Sequence, residues 1–176
     1  MNAPRLARAR AWDGAGCFAI DYLPGAVDDP RWRLVKELKA GDVDAAAVGA
    51  LLLARALDMF GRRGSVSVVA VPGHEATVNL TTEGLCAQLC SILPAVRHRP
   101  AVLRRVVPIR RSATAVERPS IEEHLATLGL AAPVAGSVII VDDVFTHGRI
   151  TEACTRLLRD AGASEVIVAA VARTRT

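Results

Sequence analysis

Val138-Ile139-Ile140-Val141-Asp142-Asp143-Val144-Phe145-Thr146-His147-Gly148-Arg149-Ile150-Thr151 is the stretch on which the reading of this chain turns. Four branched apolar residues predict a buried strand. Two adjacent carboxylates follow, then a short loop with Thr146 and Gly148, then a helix-like segment from Thr151. Open α/β sheets bind ligands outside the carboxyl ends of their strands. Carboxylates accept from hydroxyl groups. A loop at a helix N-terminus can aim backbone N–H groups at an anion, and Gly148 would let that backbone approach closely. Hydroxyl-binding and phosphate-binding groups therefore lie within ten residues of one another.

Working outward, the chain alternates between strand-like and helix-like segments. Strands are predicted over 17–23, 66–71, 101–109, 137–141 and 165–172. Helices are predicted over 31–39, 45–60, 82–92 and 151–161, with a short one after Ser120. Trp32, Val35 and Leu38 fall on one side of the first helix. Asp44 is the expected cap of the second. Glu123 stands at capping-box spacing from Ser120, and Gly162 stops the helix after the acidic pair. From residue 65 onward this order argues for a parallel sheet with right-handed crossovers.

The 176 residues suit one domain, or one domain with a small appendage, and 51% of them are apolar, ample for a core. The formal net charge is +4. Residues 1–60 hold eight basic and eight acidic side chains, so the excess lies later. Every basic residue except Lys36 and Lys39 is Arg, which suits bidentate phosphate binding. No apolar run approaches the roughly 20 residues of a membrane span. Arg5, Arg8 and Arg10 have no apolar stretch behind them, unlike a secretory signal. Cys17, Cys86, Cys90 and Cys154 are too scattered for a disulfide framework, so a reducing cytoplasm is expected. Cys86 and Cys90 read as a buried helix face rather than a metal site. Surface or capping roles are expected for His98 and His124.

Other proteins end a strand in paired acids. A P-loop nucleotide hydrolase would need G-x-x-x-x-G-K-[ST] upstream, and none occurs. A receiver domain carries its acids after the first strand, whereas one strand-like segment remains here after residue 143. A dinucleotide fold needs G-x-G-x-x-G after a strand, which is absent.

The run Asp142-Asp143-Val144-Phe145-Thr146-His147-Gly148-Arg149-Ile150 resembles the phosphoribosyl-diphosphate (PRPP) motif of type I phosphoribosyltransferases. That motif is an apolar strand, two acids, two apolar residues and Thr-Thr-Gly-x-Thr. The acids, Thr146 and Gly148 match; His147 replaces a small residue, and Ile150 stands where the closing Thr is expected, with Thr151 one place later. The resemblance implies that Asp142 and Asp143 take the ribose hydroxyls, and that Thr146, His147, Gly148, Arg149, Ile150 and Thr151 form the 5′-phosphate loop. Val69-Ala70-Val71-Pro72-Gly73-His74 looks like the first core strand and diphosphate loop, with Pro72, Gly73 and His74 facing the diphosphate. Arg97, Arg99, Arg104, Arg105, Arg110 and Arg111 crowd the region where such enzymes carry a mobile loop; Arg104 and Arg118 are its candidate ligand contacts.

Asp21-Tyr22-Leu23-Pro24 and the ending Val168–Arg175 resemble the competence-type (ComF-like) members. The chain departs from them in lacking a four-cysteine zinc site and an Arg-Gly-Phe-Asn run, of which Asn79 remains. The implied fold is an α/β parallel sheet flanked by helices, with a hood and helical region over 1–62 and a core over 63–176. The implied activity is transfer of a phosphoribosyl group from PRPP, with magnesium, to a small nitrogen nucleophile, releasing diphosphate. Thr146 occupies the position where 6-oxopurine enzymes place an acid, and no Lys follows Lys39 to serve as an orotate-type loop lysine. The alternatives are a non-catalytic PRPP-sensing regulator, or an accessory protein of DNA uptake or nucleotide metabolism. The arginine cluster also allows nucleic-acid binding, the less favoured reading. A homodimer fits the resemblance, and no membrane partner is expected.

Overall fold

The computed structural model describes residues 15–58, 66–110 and 118–175. In chain order the elements are β1 (Ala15–Tyr22), α1 (Pro30–Lys39), α2 (Val43–Asp58), β2 (Val66–Ala70), α3 (Leu80–Ile92), β3 (Val96–His98), β4 (Leu103–Arg105), α4 (Ile121–Thr127), β5 (Leu128–Leu130), β6 (Gly136–Phe145), α5 (Arg149–Asp160) and β7 (Ala163–Thr174). Five strands form one sheet in the order β1-β7-β6-β2-β3, every neighbouring pair parallel. β4 and β5 form a separate antiparallel pair.

Continuous apolar runs explain why both faces of the sheet are covered. Val68, Ile139, Val141, Ile167 and Ala169 pack with residues of α2 and α3. Their strand neighbours Val69, Ile140, Val168 and Ala170 pack with α5 and the β4–β5 pair. This is the architecture, a parallel sheet flanked by helices, that the sequence implies. β1 is an edge strand of the same sheet, and α2 packs on it through the same core as α3. The boundary drawn at 62/63 lies outside the described residues. No helix among the described residues is long and apolar enough to cross a membrane.

Local signals account for three helix starts. Asp29 accepts from the Arg31 N–H and precedes Pro30 at the start of α1. Ser120 and Glu123 form the full capping box of α4. The cap of α2 is Asp42, two residues before Asp44; its carboxylate accepts from the Ala45 N–H at 2.8 Å.

Two strands differ from expectation. The run 101–109 is not one core strand. Pro100 and Ala101, the latter at φ +52°, separate Val96–His98, which the sheet takes as its edge, from Leu103–Arg105, which turns to β5. β6 does not stop at Val141. It continues through the acids to Phe145, because β7 extends to Thr174 and offers Ala170, Ala172 and Arg173 as register partners of Asp142, Val144 and Phe145.

Candidate functional site

β2 leads to β3 on one side of the sheet, whereas β6 leads to β7 on the other. The carboxyl ends of β2 and β6 therefore flank a topological switch point, where open α/β sheets form their ligand crevice. Ala70 is the register partner of Val141, and the Val71 N–H donates to the Val141 carbonyl at 2.9 Å. Pro72-Gly73-His74, which follow β2, consequently lie beside Asp142-Asp143, which are still within β6 near its carboxyl end.

The two acids have different environments. Asp142 is 8% exposed, and its Oδ1 accepts from the Asp143 N–H at 3.0 Å. Burial foremost, and then the neighbouring charge of Asp143, push its pKa well above the ordinary carboxyl range. Asp143 is half-buried, and its Oδ1 accepts from the Val144 N–H at 2.7 Å. Asp143 is the more accessible acid. A carboxyl whose pKa is higher folded than unfolded favours the fold at low pH and loses that contribution as pH rises toward the folded value. Asp142→Asn is therefore expected to leave stability at pH 7 equal or higher, and to flatten the fall in stability above about pH 4; denaturant titrations across pH measure this.

Gly148 begins α5 in the left-handed conformation, φ +73°, and no side chain caps the helix. A Cβ there would stand 2.7 Å from Phe145 Cζ. The first-turn N–H groups and the helix dipole favour an anion at this end. Thr146 and His147 are exposed. Arg118 contacts the His147 ring. Burial, then Arg118 and Arg149, lower the pKa of His147. The Arg149 guanidinium donates to the carbonyls of Arg118 (2.9 Å) and Pro119 (3.3 Å). Thr151 is buried, and its hydroxyl donates to the Gly148 carbonyl at 2.9 Å. Ile150 packs against the core beneath. The loop thus offers Thr146, backbone N–H groups and a nearby arginine pair, while Thr151 braces it from within.

The first loop is held from the other side. The Ile109 N–H donates to the His74 carbonyl at 2.9 Å. Arg105 Nε donates to the Gly73 carbonyl at 2.5 Å. Beside this loop lies a cavity of about 320 Å³, lined by Val71, Pro72, Asn79, Leu103, Arg104 and Arg105 among others. Arg104 is exposed.

The arginine cluster does not form one face. Arg99 donates to the Pro133 carbonyl at 3.1 Å, Arg110 pairs with Glu123, and Arg105 is buried; Arg111 lies outside the described residues. Arg105 belongs to the cluster but is not among its candidate ligand contacts; alternation across β4, Leu103 in, Arg104 out and Arg105 in, is the signal that sets it apart. His124 is buried rather than at the surface, and burial foremost, with Arg105 second, lowers its pKa to about 4. His98 is half-buried and bonds Glu83 Oε2 at 2.5 Å. Cys86 is buried on α3, as expected, whereas Cys90 is half-buried.

No known protein-family model matches the sequence, and no curated protein matches it.

Proposed function

We propose that this protein binds PRPP with magnesium in the crevice between β2 and β6, and transfers the phosphoribosyl group to a small nitrogen nucleophile with release of diphosphate. The observation that carries this reading is the pair of adjacent strand ends at the switch point: an acidic pair and an uncapped, glycine-opened helix start on β6, beside a Pro-Gly loop on β2. In this reading Asp143 accepts from the ribose hydroxyls, supported by Asp142. The Thr146–Gly148 backbone holds the 5′-phosphate, and Pro72–His74 faces the diphosphate. Holding the sugar and leaving group in line is the larger part of such catalysis.

Among the described residues, no group of three or more His, Cys, Asp or Glu side chains could hold a metal. Magnesium usually takes one or two carboxylates and completes its shell with water and substrate phosphates. The residues therefore fit an ion that arrives with the diphosphate, with Asp143 as the carboxylate at hand. Such an ion would neutralise charge on the leaving group. Four unpaired cysteines suit action in a reducing cytoplasm.

A second reading keeps the ligand and drops the turnover: a PRPP-sensing regulator, or an accessory protein of DNA uptake or nucleotide metabolism. It is favoured by the commitment of Arg149 to backbone carbonyls and of the Thr151 hydroxyl to Gly148, which leave the 5′-phosphate loop fewer side-chain donors. A screen of nucleobases, ammonia and small amines with PRPP separates the two. Diphosphate release with one of them is the expected result. Silence across the screen, with PRPP still bound, would favour the sensor.

A further inference from the structure

Arg105 is 3% exposed, and among the described residues no carboxylate bonds or pairs with it. Its partners among the described residues are neutral acceptors: the Gly73 carbonyl at 2.5 Å, the Thr127 hydroxyl, and His124 Nδ1 at 3.4 Å. The low pKa of His124 keeps that ring neutral near pH 7, so it accepts without adding charge. Burying a cation without a counter-ion is costly, and proteins normally supply a carboxylate. Glu123, the α4 acid next to His124, is taken by Ser120 and Arg110. Arg105 and Arg104 both line the 320 Å³ cavity beside the Pro72–His74 loop. Glu83 also lines it, but its two oxygens are committed to His98 Nε2 and to the Ala101 N–H.

We infer that Arg105 is a positioning residue for a diphosphate group: its guanidinium fixes the Gly73 carbonyl and so the path of the loop along the cavity, and the anion supplies its counter-charge. The inference rests on the PRPP reading and names the residue of this chain that makes the first loop an anion site. A buried guanidinium behind the loop acts through a low-dielectric path, where its field is screened far less than that of a surface arginine.

The test is calorimetric titration of the full chain with two probes, magnesium diphosphate and ribose 5-phosphate, for wild type, Arg105→Met and Arg105→Lys. Arg105→Met should weaken diphosphate binding by at least about tenfold, the scale of one charge-assisted hydrogen bond. Ribose 5-phosphate, which engages the β6 side, should stay within about twofold. Arg105→Lys keeps the charge without the fork, so its diphosphate affinity should fall between the two. This variant carries the test if Arg105→Met does not fold. A merely structural arginine would weaken both probes in step, or neither; either outcome overturns the inference. The two levels of the account fail separately. Wild type binding neither probe sinks the PRPP reading itself. Wild type binding both, with diphosphate unmoved in the variants, sinks the role of Arg105 alone.

Discussion

Gly148→Ala is expected to destabilise the chain by about 2–4 kcal/mol and to abolish anion binding at the start of α5. The backbone there is left-handed, φ +73°, which costs an L-residue roughly 1–2 kcal/mol. The new methyl would also stand 2.7 Å from Phe145 Cζ and 3.1 Å from Cε2. Phe145 cannot retreat freely, because its ring packs against Phe18 at 4.8 Å between centroids, inside the core on the α5 face. Relief must come from the loop, by rotating Gly148 away or by lifting the helix start. Either movement misaligns the first-turn N–H groups and breaks the Thr151 hydroxyl bond to the Gly148 carbonyl. Denaturant unfolding measures the first effect and ribose 5-phosphate titration the second. A variant as stable as wild type would mean that the Phe145 contact yields cheaply.

Asp143→Asn is expected to weaken PRPP binding by about tenfold to a hundredfold, the loss of a charged acceptor for two hydroxyls. The substitution keeps shape and removes charge, so stability should change little. Asp142→Asn should weaken binding less, because that carboxyl is buried and already holds its proton more tightly than an ordinary acid. The order of the two losses is the informative quantity. Asp142 exceeding Asp143 would mean that the buried acid, not the accessible one, meets the sugar.

The strand, acid pair, loop and helix start are legible in sequence because each is a local feature. A run of branched residues, a glycine where the backbone must turn left-handed, and the Ser120–Glu123 box each announce themselves within a few positions. The sheet follows because Val68–Val69, Ile139–Ile140 and Ile167–Val168 are apolar on both parities, which only a strand covered on both faces tolerates. What was hidden is tertiary. The length of β6 beyond Val141 depends on β7 reaching Thr174. The apolar run from Ala101 reads as a strand of the main sheet, yet only Leu103–Arg105 is strand and it pairs with β5. Arg105 looks like one of several surface arginines until Gly73, Thr127 and His124 close around it. The partner of Arg110 is Glu123, thirteen residues on, so counting acids within the arginine cluster could not reveal it.

The central claim is that the crevice between β2 and β6 is a PRPP site, and titration of PRPP with magnesium into wild type and Asp143→Asn tests it most directly. The account predicts saturable binding by wild type tighter than about 1 mM, weakened at least about tenfold in the variant. No binding by wild type at millimolar PRPP, or equal affinity in the two proteins, would contradict it.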